Sequence, residues 1–364
     1  MLDTAPSARR RGGVTRGFTA PAMRTAAWVA ALTVVLAASA VAAVGMGTVP
    51  ISWSETLHYL HAFVTGDIIT ADEVTRYRII ADTRLPRVLL AIVVGAGLSM
   101  VGVAVQAMVR NALADPFVLG ISSGAAVGAT SVILFGTLAV LGAAAVSLAA
   151  FAGALVATVL VYVAARTREG LSPLRLVLTG TAMAYGFSAV TTVMIFVSPR
   201  GEDAKSVMFW LLGSLASARW SSLPIAAAVT VCGGLLLAVW SPKLNALVMG
   251  DDVASGLGLH AQRFRVYLFV VCAAMTGTLV AIVGAIGFVG LVVPHVTRML
   301  VGADHTRVLA VAPVLGAVFM VWADVLSRTV VAPAELPIGA ITAFVGVPTF
   351  ILLMRARRYT FGGT

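Results

Sequence analysis

Ten near-continuous apolar runs dominate this sequence, at residues 24–46, 87–108, 117–138, 140–164, 174–197, 222–240, 265–284, 286–301, 308–329 and 337–355. A helix that crosses a bilayer takes about 20 predominantly apolar residues. Lipid leaves no water to satisfy backbone N–H and C=O groups, so only helices and closed barrels can span it. A lipid-facing barrel would show alternating segments of about ten residues; these runs are continuous, and helices follow. Charged residues make up 11% of the chain, against roughly a quarter in a soluble domain. The expectation is an all-α membrane protein of about ten transmembrane helices, forming a single domain over residues 24–358. A basic tail at 1–23, with Arg9, Arg10, Arg11 and Arg16, precedes it, and a short tail at 359–364 follows. The Ala-rich first run has features of a cleavable leader, but it is long enough to span and is taken as the first span.

Charge sets the orientation. The formal net charge is +10, and in a membrane chain such an excess is first a topology signal, because Lys and Arg concentrate in cytoplasmic loops. It does not imply a nucleic-acid partner. With the N-terminus in the cytoplasm and ten alternating spans, 17 of the 25 basic residues fall on the cytoplasmic side, with six of the 15 acids. Both termini are then cytoplasmic; removing one internal span would invert half the loops and spoil the bias. Cys232 and Cys272 both lie within apolar runs and read as small core residues, not as a metal site or disulfide pair. Small residues such as those of Gly95-Ala-Gly97 and Gly284-Ala-Ile-Gly287 read as close helix contacts.

No Gly-x-x-x-x-Gly-Lys-[Ser/Thr] loop is present, so the chain is not expected to bind or hydrolyse ATP. Carriers driven by ion gradients bury carboxylates near the midplane. The clear intramembrane acid here, Asp324, sits near the outer end of its run, four residues before Arg328, where an intrahelical ion pair accounts for it. His295, beside Pro294, reads as a packing residue rather than a metal ligand. Two places carry more information. The loop 241–264 reads as two short helices. Leu244, Leu247 and Val248 lie on one face of the first, which Gly250 ends. Asp251 and Asp252 cap and begin the second, and Val253 and Leu257 share a face before Gly256 and Gly258 break it. A helical knob with exposed apolar residues suits a partner's groove; an amphipathic loop at the interface is the alternative. The second place is Arg84-Leu-Pro-Arg87, at the outer entrance to the second span. Cations there oppose a helix dipole and the positive-inside bias, which points to an acidic partner outside or to headgroup snorkelling.

Taken in order, several segments resemble one family. They are Arg84-Leu-Pro-Arg87; Gln106 with Arg110-Asn-Ala-Leu-Ala-Asp-Pro116 and Gly120-Ile-Ser-Ser-Gly-Ala-Ala126; and Phe209-Trp-Leu-Leu-Gly-Ser214. Gly250-Asp-Asp-Val-Ala254 with Leu257-Gly258, Gly284-Ala-Ile-Gly-Phe-Val-Gly-Leu-Val-Val-Pro-His295, Asp304-His305 and Ala334-Glu-Leu-Pro-Ile-Gly339 complete the set. The chain resembles the permease subunits of ATP-binding-cassette importers for ferric siderophores, haem and cobalamin, over residues 24–358. The resemblance implies a multi-pass protein of the bacterial cytoplasmic (inner) membrane that pairs with a second copy or a homologous permease around a translocation path. It implies a cytoplasmic ATPase dimer, with ATP and Mg bound there and no cofactor on this chain. That ATPase would dock on Leu247, Gly250, Asp251, Asp252, Val253, Ala254, Leu257 and Gly258. An extracytoplasmic binding protein would meet Arg84, Arg87 and Arg328. The family's gate maps onto Ser172 and Pro173, the proline departing from the small hydroxyl residue expected there. The path maps onto Thr179, Thr191, Thr192 and Met194. Ferric siderophore is the expected substrate, with haem or cobalamin the alternative and a secondary transporter the rival class.

Overall fold

The computed structural model describes residues 19–356 apart from 169, 199 and 200. The expected tails therefore lie largely outside the described residues, with Arg9, Arg10, Arg11 and Arg16 among them. The last part of the 1–23 segment is already helical, because α1 runs from Thr19 to Gly45.

Every apolar run holds a helix. Beyond α1 these are α4 (Leu85–Val109), α5 (Ile121–Phe135), α6 (Ala145–Ala165), α7 (Pro173–Phe196), α9 (Leu223–Val239), α12 (Ala261–Val283), α13 (Val289–Val301), α14 (His305–Thr329) and α15 (Ile338–Ala356). Among the described residues, six helical segments are long and apolar enough to cross a membrane, and α9 with the following helix forms a seventh bent by 60°. Three apolar helices, α5, α13 and the 338–352 part of α15, are shorter.

Three helices among the described residues lie outside the apolar runs and the expected knob. Two of them, α2 (Trp53–Thr65) and α3 (Val74–Arg78), lie between the first two runs, and α8 (Gly201–Leu211) precedes α9. The start of α2 is a capping box. The Ser52 hydroxyl accepts from Glu55 N, the Glu55 carboxylate accepts from Ser52 N, and Gly66 closes the helix at φ 74°. Such reciprocal bonds satisfy two otherwise orphaned donors.

At the centre stands α4, buried along nearly its whole length and packed by α14, α12, α13 and α9. A Cβ on Gly95 would come within 2.2 Å of Gly316 O, and one on Gly102 within 2.0 Å of Gly290 O. Backbones in such contact draw on van der Waals packing that lipid cannot replace. The glycine expectation holds for Gly95, Gly97 and Gly284, whereas Gly287 faces open space.

Candidate functional site

The loop 241–264 forms α10 (Ser241–Val248) and α11 (Asp251–Gly256). Leu244, Leu247 and Ala254 are fully buried, whereas Val248, Met249, Val253 and Leu257 are exposed, Leu257 by 67%. Val248 therefore does not share the buried face of Leu244 and Leu247. Gly250, at φ 115°, lets the chain turn between the two helices. The cap assignment needs correction: Gly250 occupies the N-cap and no side chain caps α11. Asp251 does other work. Its Oδ1 accepts from Arg265 Nη2 at 2.7 Å and its Oδ2 from Arg265 Nη1 at 3.2 Å, with Gln262 Nε2 at 3.3 Å.

Arg265, in the second turn of α12, is fully buried. It also donates to Met108 O at the end of α4 (3.3 Å) and to Leu171 O (3.0 Å). One guanidinium thus joins α4, α11, α12 and the short hairpin of β1 (Arg166–Thr167) and β2 (Gly170–Leu171). The Arg265 hydrogen bonds, then the charges of Arg265 and Arg110, hold the Asp251 carboxyl below the usual carboxylate range against the opposing effect of burial. A second tether holds α10. Asn245 Nδ2 donates to Asp304 Oδ2 at 2.9 Å, and Asn245 Oδ1 accepts from His305 N at 2.9 Å. Asp304 also caps α14. Neither Arg265 nor Asn245 stands out in the sequence as a site residue. The available signal was a guanidinium at the very start of the apolar run 265–284, where burial would demand a partner.

At the other end of the bundle the three arginines expected to face an acidic partner are buried. The start of α4 is not a helix start either: α3 runs through a π-helical turn, Ile79–Arg84, straight into α4. Leu85 N bonds Ile80 O there, and the wider turn precedes Pro86, whose ring would otherwise crowd the preceding turn. Arg84 and Arg87 therefore do not stand at a helix N-terminus and do not oppose a helix dipole.

Arg84 donates to Val44 O (3.0 Å), Gly45 O (2.8 Å) and Val49 O. Arg328 donates to Met46 O (2.8 Å) and Ala43 O (2.7 Å). Together they satisfy the carbonyls left open at the C-terminus of α1, where positive charge is favoured. Arg87 bonds Asp324 through Nε at 2.8 Å and grips Glu335 with both terminal nitrogens at 2.8 and 2.9 Å. The expected Asp324–Arg328 pair is present, at 3.1 Å. Glu335, its side chain 29% exposed, is the most accessible member of this cluster.

Ser172 and Pro173 have a local explanation. The Ser172 hydroxyl accepts from Arg175 N at 3.3 Å as the N-cap of α7, and proline suits the first helical position. Both border a cleft with Arg110 and Asn111. Of the expected path residues, Thr191 and Thr192 line a cleft of about 230 Å³ with Ser122, Ser188 and Leu211. Their hydroxyls bond the carbonyls of Phe187 and Ser188. Thr179 and Met194 do not border that cleft. No group of three or more His, Cys, Asp or Glu side chains that could hold a metal ion occurs among the described residues.

A family profile described as the FecCD transport family matches residues 25–356. The cobalamin import system permease BtuC of Halobacterium salinarum is 40% identical over 280 residues, covering 77% of this chain and 74% of that protein. The Fe(3+) dicitrate transport system permease FecD of Escherichia coli is 35% identical over 327 residues, covering 90% and 98%. Among solved structures, a transporter described as of the metal-chelate ABC type, in an inward-facing conformation, matches with a TM-score of 0.78 at 31% identity, over 90% of this chain and 99% of that one.

Proposed function

The chain belongs to the FecCD transport family, and from that premise we propose that it forms the translocation path of an ATP-driven importer of ferric siderophores and related metal chelates. It is a multi-pass membrane permease of the ABC importer kind. The observation that carries the mechanism is the α10–α11 knob, which offers Val248, Met249, Val253 and Leu257 to solvent while part-buried polar contacts bind it to Arg265 of α12 and to Asp304 at the start of α14, and Arg265 in turn bonds α4. An apolar tip fits a partner's groove, and a stiff base passes the partner's motion into the bundle. The ATPase dimer supplies ATP and Mg chemistry; this chain binds neither and is not itself an enzyme. ATP-driven closure moves the knobs, and the helices rock between inward- and outward-open packings.

The knob then faces the cytoplasm, both termini lie inside, and the membrane is a bacterial cytoplasmic one. A second copy or a homologous permease completes the path. For the extracytoplasmic binding protein, the surface over Arg84, Arg87 and Arg328 remains our docking site, with one change of mechanism. Because the chain itself engages all three guanidiniums, an incoming carboxylate reaches Arg87 in exchange for Glu335.

Ferric chelate is preferred as substrate because FecD, the ferric dicitrate permease, aligns over nearly its whole length. Cobalamin, favoured by the BtuC identity, is the second reading. Co-expression with a candidate ATP-binding-cassette ATPase, followed by purification through this chain, tests the coupling site. Wild type should retain the ATPase and Val253→Asp/Leu257→Asp should lose it; equal retention by both would refute the knob assignment.

A further inference from the structure

At the knob end of the bundle, a cleft of about 360 Å³ opens between the C-terminus of α6 and the N-terminus of α12, lined by Tyr162, Arg166, Gly170, Gln262, Arg263 and Tyr267 among others. The volume lies within the range of ligand clefts, about 300–1,000 Å³. No carboxylate lines it among the described residues. Arg166 and Arg263 are exposed and enter no ion pair among the described residues. The Arg166 guanidinium lies 5.8 Å from the Tyr162 ring centroid, which holds it over the cleft.

Away from the cations the same two helices turn apolar and face outwards, with Val159 and Val163 on α6 and Val270 on α12 exposed beside Tyr267. Two cations, two tyrosines and an apolar continuation match the layers of one amphiphile: anionic head, interfacial belt, acyl chain. We propose that this cleft binds the headgroup of an anionic phospholipid of the cytoplasmic leaflet, with an acyl chain lying along α6 and α12. The leaflet rests on the orientation proposed above. The site adjoins the coupling machinery, because Gln262 in its wall accepts from Leu171 N at 2.9 Å and donates to Asp251. A bound headgroup therefore braces the hairpin against the base of the knob.

The test uses the full-length chain, purified in detergent with an equimolar mixture of phosphatidylglycerol and phosphatidylcholine, and mass spectrometry of the lipid that stays bound. Wild type should retain phosphatidylglycerol preferentially, and Arg166→Gln/Arg263→Gln should lower that preference roughly thirtyfold, as expected for two interfacial cations. The comparison variant Lys205→Gln/Arg219→Gln, at exposed cations of the opposite end, should leave it unchanged. Excess inorganic phosphate should not displace the lipid. Three results would each overturn the proposal: equal preference in wild type and the cleft variant, equal loss in both variants, or displacement by phosphate, which would mark a free-anion site. Neither ATPase nor substrate enters the measurement, so its failure is separable from failure of the transport reading.

Discussion

Arg265 illustrates how one buried charge can organise a membrane protein. A guanidinium taken out of water needs both counter-charge and full hydrogen bonding. Asp251 supplies the first, and the carbonyls of Met108 and Leu171 complete the second. Asp251→Asn should lower the stability of the purified chain by about 1–2 kcal/mol, below the usual cost of breaking a buried pair because a third of the Asp251 side chain is exposed. The effect depends on pH with a definite sign. The folded carboxyl titrates below its unfolded value, which is about 3.9. Its contribution is therefore complete above that value and lost as pH falls through the folded pKa. Melting curves of wild type and Asp251→Asn should differ at neutral pH and converge below about pH 4; a constant gap would contradict the tether. Arg87→Ala should cost more, about 3–5 kcal/mol, since it strips a partner from the fully buried Asp324, and thermal unfolding reads that directly.

Elements defined by apolar length were legible, and those defined by partners were not. The ten runs and the two helices of the knob follow from hydropathy, turn glycines and helix period alone. The helices α2, α3 and α8 are short and carry mixed polarity, so hydropathy does not mark them, although Ser52, Glu55 and Gly66 are readable start and stop signals for α2. Arg84 and Arg87 were misplaced for a related reason. The apolar run begins beside them, but the helix begins at Val74, in polar sequence whose π-helical turn packs on α1 and α2. Their partners lie 35 to 248 residues away, a separation that one sequence does not encode. The Asp324–Arg328 pair, by contrast, lies within one helical turn and could be read. Helix contacts give a prediction at this scale. Gly95→Val should destabilise the chain by about 3 kcal/mol or more by forcing α4 from α14, whereas Gly287→Ala, which meets open space, should change its melting by less than about 0.5 kcal/mol.

Across the whole molecule, apolar surface is left uncovered on α7 and α15, where Tyr185, Phe196 and Phe344 are each at least 75% exposed. That face suits the second permease proposed here, while the tethered knob at one end and the arginine cluster at the other suit an ATPase and a binding protein. On the function proposed here, ATP hydrolysis outside this chain drives chelate through it by way of the knob. The most direct measurement is uptake of radiolabelled ferric siderophore, haem and cobalamin by cells lacking the chain, with wild type or Val253→Asp/Leu257→Asp restored to equal membrane levels. Wild type should restore uptake of the ferric chelate and the double variant should not. Restoration by the double variant as well, or none by wild type for any of the three substrates, would contradict it.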